Sequence, residues 1–311
     1  MAGRVLVVGS LNLDVVVTCE RAPEAGETVL GRSVTQAAGG KGANQAVAAA
    51  RLGASVAMAG RVGDDDAGRS LRRSLREAGV DDACVRTGTA TTGTALIVVD
   101  AHGENRIVVI PGANGEVVAA DAAPLLKDSL GDVVILELEI PLATVVAVAT
   151  AARCAGASVL LNAAPARLEA RSLAKVVDHL VVNETEAEAL CEWPVESPDA
   201  ERAAVETLRG VGFGAVTLTR GPRGALHGDR DGWLEAEAPA VEVVDTTAAG
   251  DAFVGAWAAE RARGGSAREA LALAVAAGSL AVTKAGAQPS LPALAAARAL
   301  AARIRIAQVA R

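Results

Sequence analysis

The stretch Val244-Asp245-Thr246-Thr247-Ala248-Ala249-Gly250-Asp251-Ala252-Phe253 is the most informative part of this chain. The segment from Phe253 to Arg261 places apolar side chains on one helical face and predicts a helix. Ala248, Ala249 and Gly250 have almost no side chain, so an anion can approach their N–H groups at the positive end of the helix dipole. The stretch therefore predicts an anion-binding turn at the start of a helix.

Asp251 lies at the rim of this turn, where its charge would repel a phosphate. Anion binding alone does not explain it, but a general base beside an anion site does, because a carboxylate can take a proton from an attacking hydroxyl. The pairing predicts phosphoryl transfer to a hydroxyl. An ordinary helix start capped by Asp251 is equally compatible with these residues alone.

A second glycine-rich motif lies near the other end of the chain, at Gly39-Gly40-Lys41-Gly42-Ala43-Asn44-Gln45-Ala46. It precedes an alanine-rich helix that runs to Arg51 and ends at Gly53. Its glycines allow close approach of a ligand to the backbone, and Lys41 and Asn44 offer donors to hydroxyl or carbonyl oxygens. The glycine spacing and the absence of a Ser or Thr after the lysine distinguish it from a Walker loop.

Composition argues against two classes of function. The 311 residues carry a formal charge of -7 and only 2% are aromatic, so the basic surface and stacking side chains of a nucleic-acid-binding protein are not expected. Charges interrupt the apolar runs, and the N-terminus lacks an export signal. The 4 cysteines (19, 84, 154 and 191) and 3 histidines (102, 179 and 227) are scattered, which disfavours a zinc or redox motif and metal ligation by histidine. We predict a soluble cytoplasmic protein with reduced thiols and no nucleic-acid or membrane partner.

Short buried-strand patterns alternate with helical patterns along most of the chain. We predict strands at 4–8, 56–61, 133–136, 158–161, 180–182 and 215–219. We predict helices at 68–78, 142–155, 184–191, 201–209, 253–261 and, after a capping box at Ser266 and Glu269, through 282. This alternation predicts an α/β fold in which helices cover both faces of a parallel sheet, giving three α/β/α layers.

Two regions have alternating patterns typical of hairpins: 14–20 with 28–36, and 94–100 with 106–110. They predict a small inserted β-sheet, formed by about 14–36 and 94–110, that acts as a lid and excludes water from the transferred group. An ordinary sheet edge or a pure dimer surface is the alternative. An exposed sheet of this kind favours a homodimer through hairpin pairing.

The stretch 210–215 satisfies the alanine-ending variant of the dinucleotide fingerprint. It follows a predicted helix and enters a predicted strand, which is the reverse of the order that pyrophosphate binding requires. We interpret it as a helix end and a turn, so a dehydrogenase is disfavoured.

Four motifs, at 9–14, 39–46, 183–186 and 245–251, occur in this order along the chain. Together they resemble the ribokinase/PfkB-type carbohydrate kinase family, which includes adenosine kinases and fructokinases, over nearly the whole length. The resemblance implies a single ribokinase-like α/β domain over 1–311. One departure is Ala163, which stands where a proline is expected and affects loop stiffness rather than chemistry.

The resemblance implies roles for individual residues. Asp251 would be the base, and the N–H groups of Ala248, Ala249 and Gly250 would hold the charge on the transferred group. The sugar would be held by Asp251 together with Asn12, Asp14, Gly40, Lys41, Gly42, Asn44 and Glu139.

For ATP the resemblance implies contacts from Asn183, Glu186, Thr219, Gly221, Gly224 and Gly250. Asn183 and Glu186 would also serve a Mg²⁺ ion through water, although their spacing alone suits a plain helix cap. A K⁺ ion would be bound by the side chain of Asp245, the carbonyl of Thr247 and oxygens around Ala281, Lys284, Gly286 and Ser290.

The implied activity is ATP-dependent phosphorylation of the primary 5-hydroxyl of D-ribose to give D-ribose 5-phosphate. A kinase for deoxyribose, a nucleoside or another furanose sugar is the alternative, and the scarcity of aromatic residues disfavours a nucleoside. A catalytically silent sugar-binding sensor is a further alternative, against which the intact Asp251 argues.

Overall fold

The alternating strand and helix patterns form two sheets surrounded by helices in the computed structural model, which describes residues 3–102, 104–127 and 129–309. Gly103, within the second predicted hairpin, lies outside the described residues. The strands are β1 Val5–Val8, β2 Asn12–Cys19, β3 Gly31–Gly39, β4 Val56–Val62, β5 Val80–Thr87, β6 Gly93–Val99, β7 Asn105–Ile110, β8 Val133–Leu136, β9 Ser158–Asn162, β10 His179–Asn183, β11 Ala215–Thr219, β12 Ala225–Asp229, β13 Gly232–Ala236 and β14 Ile306–Val309.

The α-helices are α1 Lys41–Arg51, α2 Asp66–Glu77, α3 Ala119–Leu126, α4 Leu142–Cys154, α5 Glu184–Cys191, α6 Pro198–Val211, α7 Ala249–Ala262, α8 Ala267–Ala281, α9 Ala287–Ser290 and α10 Leu294–Ala301. Short 3₁₀ helices span Gly112–Glu116, Leu168–Leu173 and Gly221–Arg223.

The larger sheet has 10 strands in the order β14-β13-β12-β11-β10-β9-β8-β1-β4-β5. From β5 to β11 all neighbours pair in parallel, whereas β12, β13 and β14 add an antiparallel edge beyond β11. The predicted parallel sheet is confirmed. The antiparallel edge was not predicted, because β12 and β14 mix polar and small residues and lack a clear strand pattern.

The core lies on both faces of this sheet. Along β1, Val5 and Val7 belong to the core cluster that includes residues of α1, α7 and α8, whereas Leu6 and Val8 belong to the cluster that includes residues of α3, α4 and α6. Successive side chains of a strand point to opposite faces, so a run of four buried aliphatic residues requires helices on both sides. The three-layer α/β/α prediction is confirmed.

The predicted element boundaries need one correction that matters for the site. Helix α7 begins at Ala249 rather than at Phe253, so Asp251 lies within its first turn. The other predicted helices and strands agree with the structure to within about three residues. Stretch 210–215 spans the end of α6 and the start of β11, as the helix-to-strand interpretation requires.

The smaller sheet has the strand order β3-β2-β6-β7. Both predicted hairpins, β2 with β3 and β6 with β7, are antiparallel pairs, and a parallel pairing of β2 with β6 joins them. The register places Val17, Val34, Leu96 and Val108 on one face, and Asp14 on the other. One strand of this sheet therefore carries a predicted sugar ligand, and its opposite face carries aliphatic side chains.

All four cysteines are free, and three of them are buried. Two of the three histidines are not scattered in space: Thr217 Oγ1 lies 2.7 Å from His179 Nε2 and 2.8 Å from His227 Nδ1. They are 48 positions apart in the sequence, so this contact could not be predicted; the pairing of β10 with β11 and of β11 with β12 creates it. In the described part of the chain, no helix is both long enough and apolar enough to cross a membrane.

Candidate active site

The carboxylate of Asp251 lies between two side chains of helix α1 and is only 7% exposed. Asn44 Nδ2 donates to its Oδ2 at 3.0 Å, and Gln45 Nε2 donates to its Oδ1 at 2.9 Å. Burial raises the pKa of Asp251, while the charge of Lys41 and the two amide donors act in the opposite direction. The arrangement is a desolvated carboxylate with fixed orientation, which suits a general base.

The backbone before Asp251 forms the predicted anion-binding turn. Ala248 has φ 59°, a left-handed conformation unusual for a residue with a side chain, and the N–H of Ala252 makes the bond to the Ala248 carbonyl at 2.8 Å. N–H groups of the first helical turn precede any intrahelical acceptor and are available to a ligand. The N–H of Ala249 also donates to the Thr246 carbonyl at 3.3 Å, so it is partly engaged within the chain.

The predicted sugar-binding residues come from β2, from the start of α1 and from the segment after β8. Glu139 Oε2 accepts from Ser10 Oγ at 2.6 Å, from Asn12 Nδ2 at 3.3 Å and from the Lys41 N–H at 3.3 Å. Asp14 shares this cleft: burial, followed by the charges of Glu139 and Asp251, raises its pKa to about 7. The structure thus brings most of the predicted sugar ligands together beside the candidate base.

Close packing leaves no room for a side chain at two glycines of the second motif. A Cβ on Gly40 would lie 2.7 Å from the Asn12 nitrogen, and one on Gly42 would lie 2.6 Å from the Ser10 nitrogen. Gly40 also has φ 90°. The loop after β1 therefore rests directly on the start of α1, which is what holds Asn12 beside Lys41; a direct ligand role for Gly40 and Gly42 stays a prediction.

Several residues of the site were not predicted. Glu137, which is completely buried, accepts from the N–H groups of Ser10 at 2.7 Å and of Glu139 at 2.6 Å; burial and the Glu139 charge raise its pKa. Asn114 Nδ2 donates to Asn12 Oδ1 at 2.7 Å. For Glu137 the available sequence signal was the position of two glutamates, Glu137 and Glu139, within an apolar run. No sequence signal marked Asn114.

Four of the six predicted nucleotide residues line a large apolar cavity next to the anion-binding turn, whereas Asn183 and Glu186 do not line it. The cavity has a volume of about 590 Å³ and is bounded by Thr219, Gly221, Gly224, Ala249, Gly250 and Phe253, with further aliphatic side chains from α8 and the 238–243 segment. Gly224, with φ 88°, has no room for a Cβ, which would lie 2.0 Å from the Ala236 carbonyl oxygen. A cavity of this size and lining accommodates a flat, weakly polar group such as a nucleobase.

Asn183 and Glu186 form a reciprocal capping box at the start of α5. Asn183 Oδ1 accepts from the Glu186 N–H at 2.8 Å, and the Asn183 N–H donates to Glu186 Oε2 at 2.8 Å. In the structure these two side chains therefore form the helix cap of the alternative prediction, and Glu186 Oε1 accepts no hydrogen bond from the described residues. Arg223 connects this helix to the glycine loop, because its Nη2 lies 2.5 Å from both Glu184 and Glu201.

The predicted cation loops are in contact. Asp245 Oδ1 accepts from the Thr247 N–H at 2.9 Å and from Thr247 Oγ1 at 2.6 Å, and its Oδ2 accepts from the Gly286 N–H at 2.8 Å. Burial would raise the pKa of Asp245, but these donors outweigh it and lower the pKa. Ser290 Oγ donates to the Ala287 carbonyl at 2.7 Å, and the Lys284 N–H donates to the Ala281 carbonyl at 3.3 Å. The structure therefore brings Asp245, Thr247 and Gly286 together, with the others in the adjoining turn.

A three-layer α/β/α fold that places a buried carboxylate beside a helix N-terminus, between a polar cleft and an apolar cavity, is the architecture of a phosphotransferase with a hydroxyl acceptor. Residues 2–294 match the pfkB family of carbohydrate kinases. The chain belongs to this family, and it is a kinase.

Relatives of known activity support this membership. The chain is 39% identical over 290 residues to the ribokinase of Bacillus subtilis, covering 93% of this chain and 96% of that protein. It is 37% identical over 295 residues to the deoxyribokinase of Salmonella typhimurium, covering 93% and 96%. The structure of Arabidopsis thaliana ribokinase complexed with ribose and ATP superposes with a TM-score of 0.87 at 34% identity, covering 97% of this chain and 99% of that one.

Proposed function

We propose that this chain transfers the γ-phosphoryl group of ATP to the primary 5-hydroxyl of D-ribose, giving D-ribose 5-phosphate and ADP. The observation that carries the proposal is the position of Asp251, a desolvated carboxylate in the first turn of α7 with polar sugar ligands on one side and the apolar cavity on the other. The similarity to ribokinases, one of them a complex with ribose and ATP, supports ribose as the acceptor.

In the proposed reaction, Asp251 accepts the proton of the 5-hydroxyl as its oxygen attacks the γ-phosphorus. The new O–P bond forms while the bond between the γ-phosphorus and the bridging oxygen breaks, and ADP leaves with that electron pair. The N–H groups of Ala248, Ala249 and Gly250 stabilise the charge on the transferred group, and a donor that is not engaged within the chain contributes about 3 kcal/mol. Lys41, whose charge also acts on Asp251 and Glu139, adds a positive charge beside the acceptor.

The sugar hydroxyls are ligands of the small sheet and the start of α1 in this proposal. A carboxylate accepts from two neighbouring hydroxyls at once, which suits Asp14, and Asn12 and Asn44 supply amide groups. Asn44 Oδ1 is buried and has no hydrogen-bond partner among the described residues, as expected of an atom reserved for a ligand. The small sheet then acts as the lid over the sugar.

ATP would place its base in the apolar cavity, its phosphates between Gly221, Gly224 and Gly250, and its Mg²⁺ near Asn183 and Glu186. Glu186 Oε1, which accepts no hydrogen bond within the described part of the chain, suits Mg²⁺, because this ion prefers oxygen ligands and keeps most of its water. Mg²⁺ supplies charge neutralisation of the phosphates. The anionic Asp245 and the carbonyls of the adjoining turn are oxygen donors that likewise suit K⁺, whose charge would stabilise the anion-binding turn.

A second copy of the chain is the partner that we propose for the small sheet. Val34, Leu96, Val108 and Ile110 on its outer face are between 40% and 65% exposed. A contiguous aliphatic face of this kind, on a sheet whose edge strand β7 is fully exposed, is typical of a protein interface. A homodimer through this sheet and a location in the cytoplasm, where ATP is available, complete the proposal.

The deciding experiment is an ADP-release assay over ribose, 2-deoxyribose, fructose and adenosine with wild-type protein and Asp251→Asn. We expect the highest kcat/KM with ribose and a loss of about 10³-fold or more in kcat for the variant, with substrate binding retained. A preference for 2-deoxyribose would instead assign to the chain the deoxyribokinase activity for which one of its relatives is named. No release with any sugar, or near-normal turnover by Asp251→Asn, would contradict the proposal.

A further inference from the structure

The two oxygens of the Asp251 carboxylate have different partners. Oδ2 accepts from Asn44, a residue at the predicted sugar site, whereas Oδ1 accepts from Gln45 Nε2. The same Nε2 donates its second hydrogen to Asn162 Oδ1 at 3.0 Å. Gln45 is completely buried, so its amide serves the base and Asn162 rather than solvent.

The orientation of the Gln45 amide is fixed by its acceptors. Two oxygens face its nitrogen, and a flipped amide would place a third oxygen against both of them. In the observed orientation, Gln45 Oε1 is buried without a hydrogen-bond partner among the described residues. The fold leaves this acceptor unsatisfied while keeping both N–H groups engaged, which indicates that the donation to Asp251 has a role.

The hydrogen bonds continue from Gln45 into the rigid part of the fold. Asn162 is the last residue of β9, and its Nδ2 donates to the Val181 carbonyl of β10 at 3.4 Å. Gly255, one turn after Asp251 in α7, allows α1 to approach closely: a Cβ there would lie 2.8 Å from the Gln45 carbonyl oxygen. The base is thus connected through Gln45 and Asn162 to the central sheet.

We propose that Gln45, held by Asn162, is a positioning residue that fixes Oδ1 of Asp251 and thereby presents Oδ2 to the 5-hydroxyl of the sugar. The proposal rests on the proposed role of Asp251 as base. It adds two residues that do not touch the sugar or the nucleotide in the proposed reaction, and it explains why a glutamine follows Asn44 on the buried face of α1.

The charge state of Asp251 responds to the same contact. The ionisable groups that act on Asp251 or respond to it are Lys41 from α1, Glu139 after β8, Asp14 from β2 and Glu186 from α5. Against burial, which raises the pKa of Asp251, the Gln45 donor lowers it. Removal of this donor therefore raises the pKa further, so the acid limb of a pH–rate profile moves to higher pH.

The test compares Gln45→Met, which keeps side-chain length without the donor, with Asn162→Ala and wild type. Thr217→Val is the matched control, because it removes a completely buried hydrogen-bonding group that contacts His179 and His227 rather than Asp251. The readouts are kcat and KM for ribose as functions of pH, and ¹³C-carboxyl titration of the aspartates in ligand-free protein, with the Asp251 signal assigned by its absence in Asp251→Asn.

We expect Gln45→Met to lower kcat about 10–100-fold, with KM for ribose within about threefold, and to move the acid limb and the Asp251 titration upward by about half a unit or more. Asn162→Ala should produce the same pattern to a smaller extent. If Gln45→Met changes kcat and both titrations no more than Thr217→Val does, the positioning role is wrong. If wild type phosphorylates no sugar, the proposed function fails, and the carboxyl titration still decides the effect of Gln45 on Asp251.

Discussion

Gly250 is the residue at which stability and catalysis are expected to oppose each other. It lies in the first turn of α7, and a Cβ added to it would meet no atom within 4 Å. Alanine is the better helix former by up to about 1 kcal/mol. The added methyl group would, however, occupy the open space in front of the N–H groups that are proposed to face the transferred phosphoryl group.

We therefore expect Gly250→Ala to keep or raise the melting temperature and to lower kcat by about tenfold or more. Thermal unfolding and ADP release on the same preparations measure the two effects. Gly210→Ala is the matched control, because Gly210 lies in α6 and its Cβ would also meet no atom within 4 Å. Unchanged turnover in Gly250→Ala would show that the space before this turn is not used.

The second prediction at this scale concerns Asp14. Because burial and the charges of Glu139 and Asp251 raise its pKa to about 7, it loses its charge as the pH falls through neutrality. A protonated carboxyl is a poorer acceptor for two sugar hydroxyls. We expect KM for ribose to rise roughly tenfold for each unit below pH 7, until binding by the protonated form becomes dominant.

The measurement is KM for ribose between pH 5.5 and 8.5 in wild type and in Asp14→Asn. The variant should have a raised KM whose dependence on pH over this range is much weaker than in wild type. The effect on folding stability is opposite to the effect on ribose binding. Between the unfolded pKa of about 4 and the folded pKa, the native state binds more protons than the unfolded state. Asp14 therefore lowers the free energy of unfolding as the pH rises. A pH-independent wild-type KM would contradict the assignment.

Residues differ in how far the sequence could predict them. Asp251 and its three small neighbours lie in one stretch whose helix start and chemistry are local, so their association could be inferred. Gln45 and Asn162 are 117 positions apart, and Gln45 and Asp251 are 206 apart. Such contacts depend on which strands and helices become neighbours, which side-chain periodicity does not specify.

At the scale of elements, the contact between the segment before α7 and the turn before α9 carries a prediction about potassium. We expect turnover to be several-fold higher with K⁺ than with Na⁺ at equal ionic strength, and Asp245→Ala to reduce both turnover and this difference. Glu206→Ala, which removes an exposed carboxylate from α6, is the control. Equal rates in the two salts for wild type would count against a cation at these loops.

The elements also show the limits of pattern reasoning. Buried runs such as Val133–Leu136 could be predicted as strands, because a short apolar run fits a strand that is covered on both faces. β14, by contrast, comes from the last part of the chain, is half exposed and pairs with β13, whose residues lie 70 to 76 positions earlier. Its pairing depends on the completed sheet edge rather than on its own pattern.

For the whole molecule, the aliphatic outer face of the small sheet predicts association between copies. Val108→Asp places a charge at a position that is 62% exposed, so the fold should tolerate it while the interface should not. We expect wild type to be a dimer and the variant a monomer by size-exclusion chromatography with light scattering. Leu130→Asp, at an 83% exposed position away from this sheet, should leave the dimer intact. A monomeric wild type would contradict the interface.

Strand β2 has a further consequence, since Asp14 and Val17 lie on its opposite faces. A partner that orders one face of this strand also orders the other face, because both faces share one backbone. If copies associate there, dilution of the protein should weaken its affinity for the sugar. Bound sugar should in turn strengthen the association of copies by the same factor. Enzyme concentration would then act as a control on affinity, without any separate effector site.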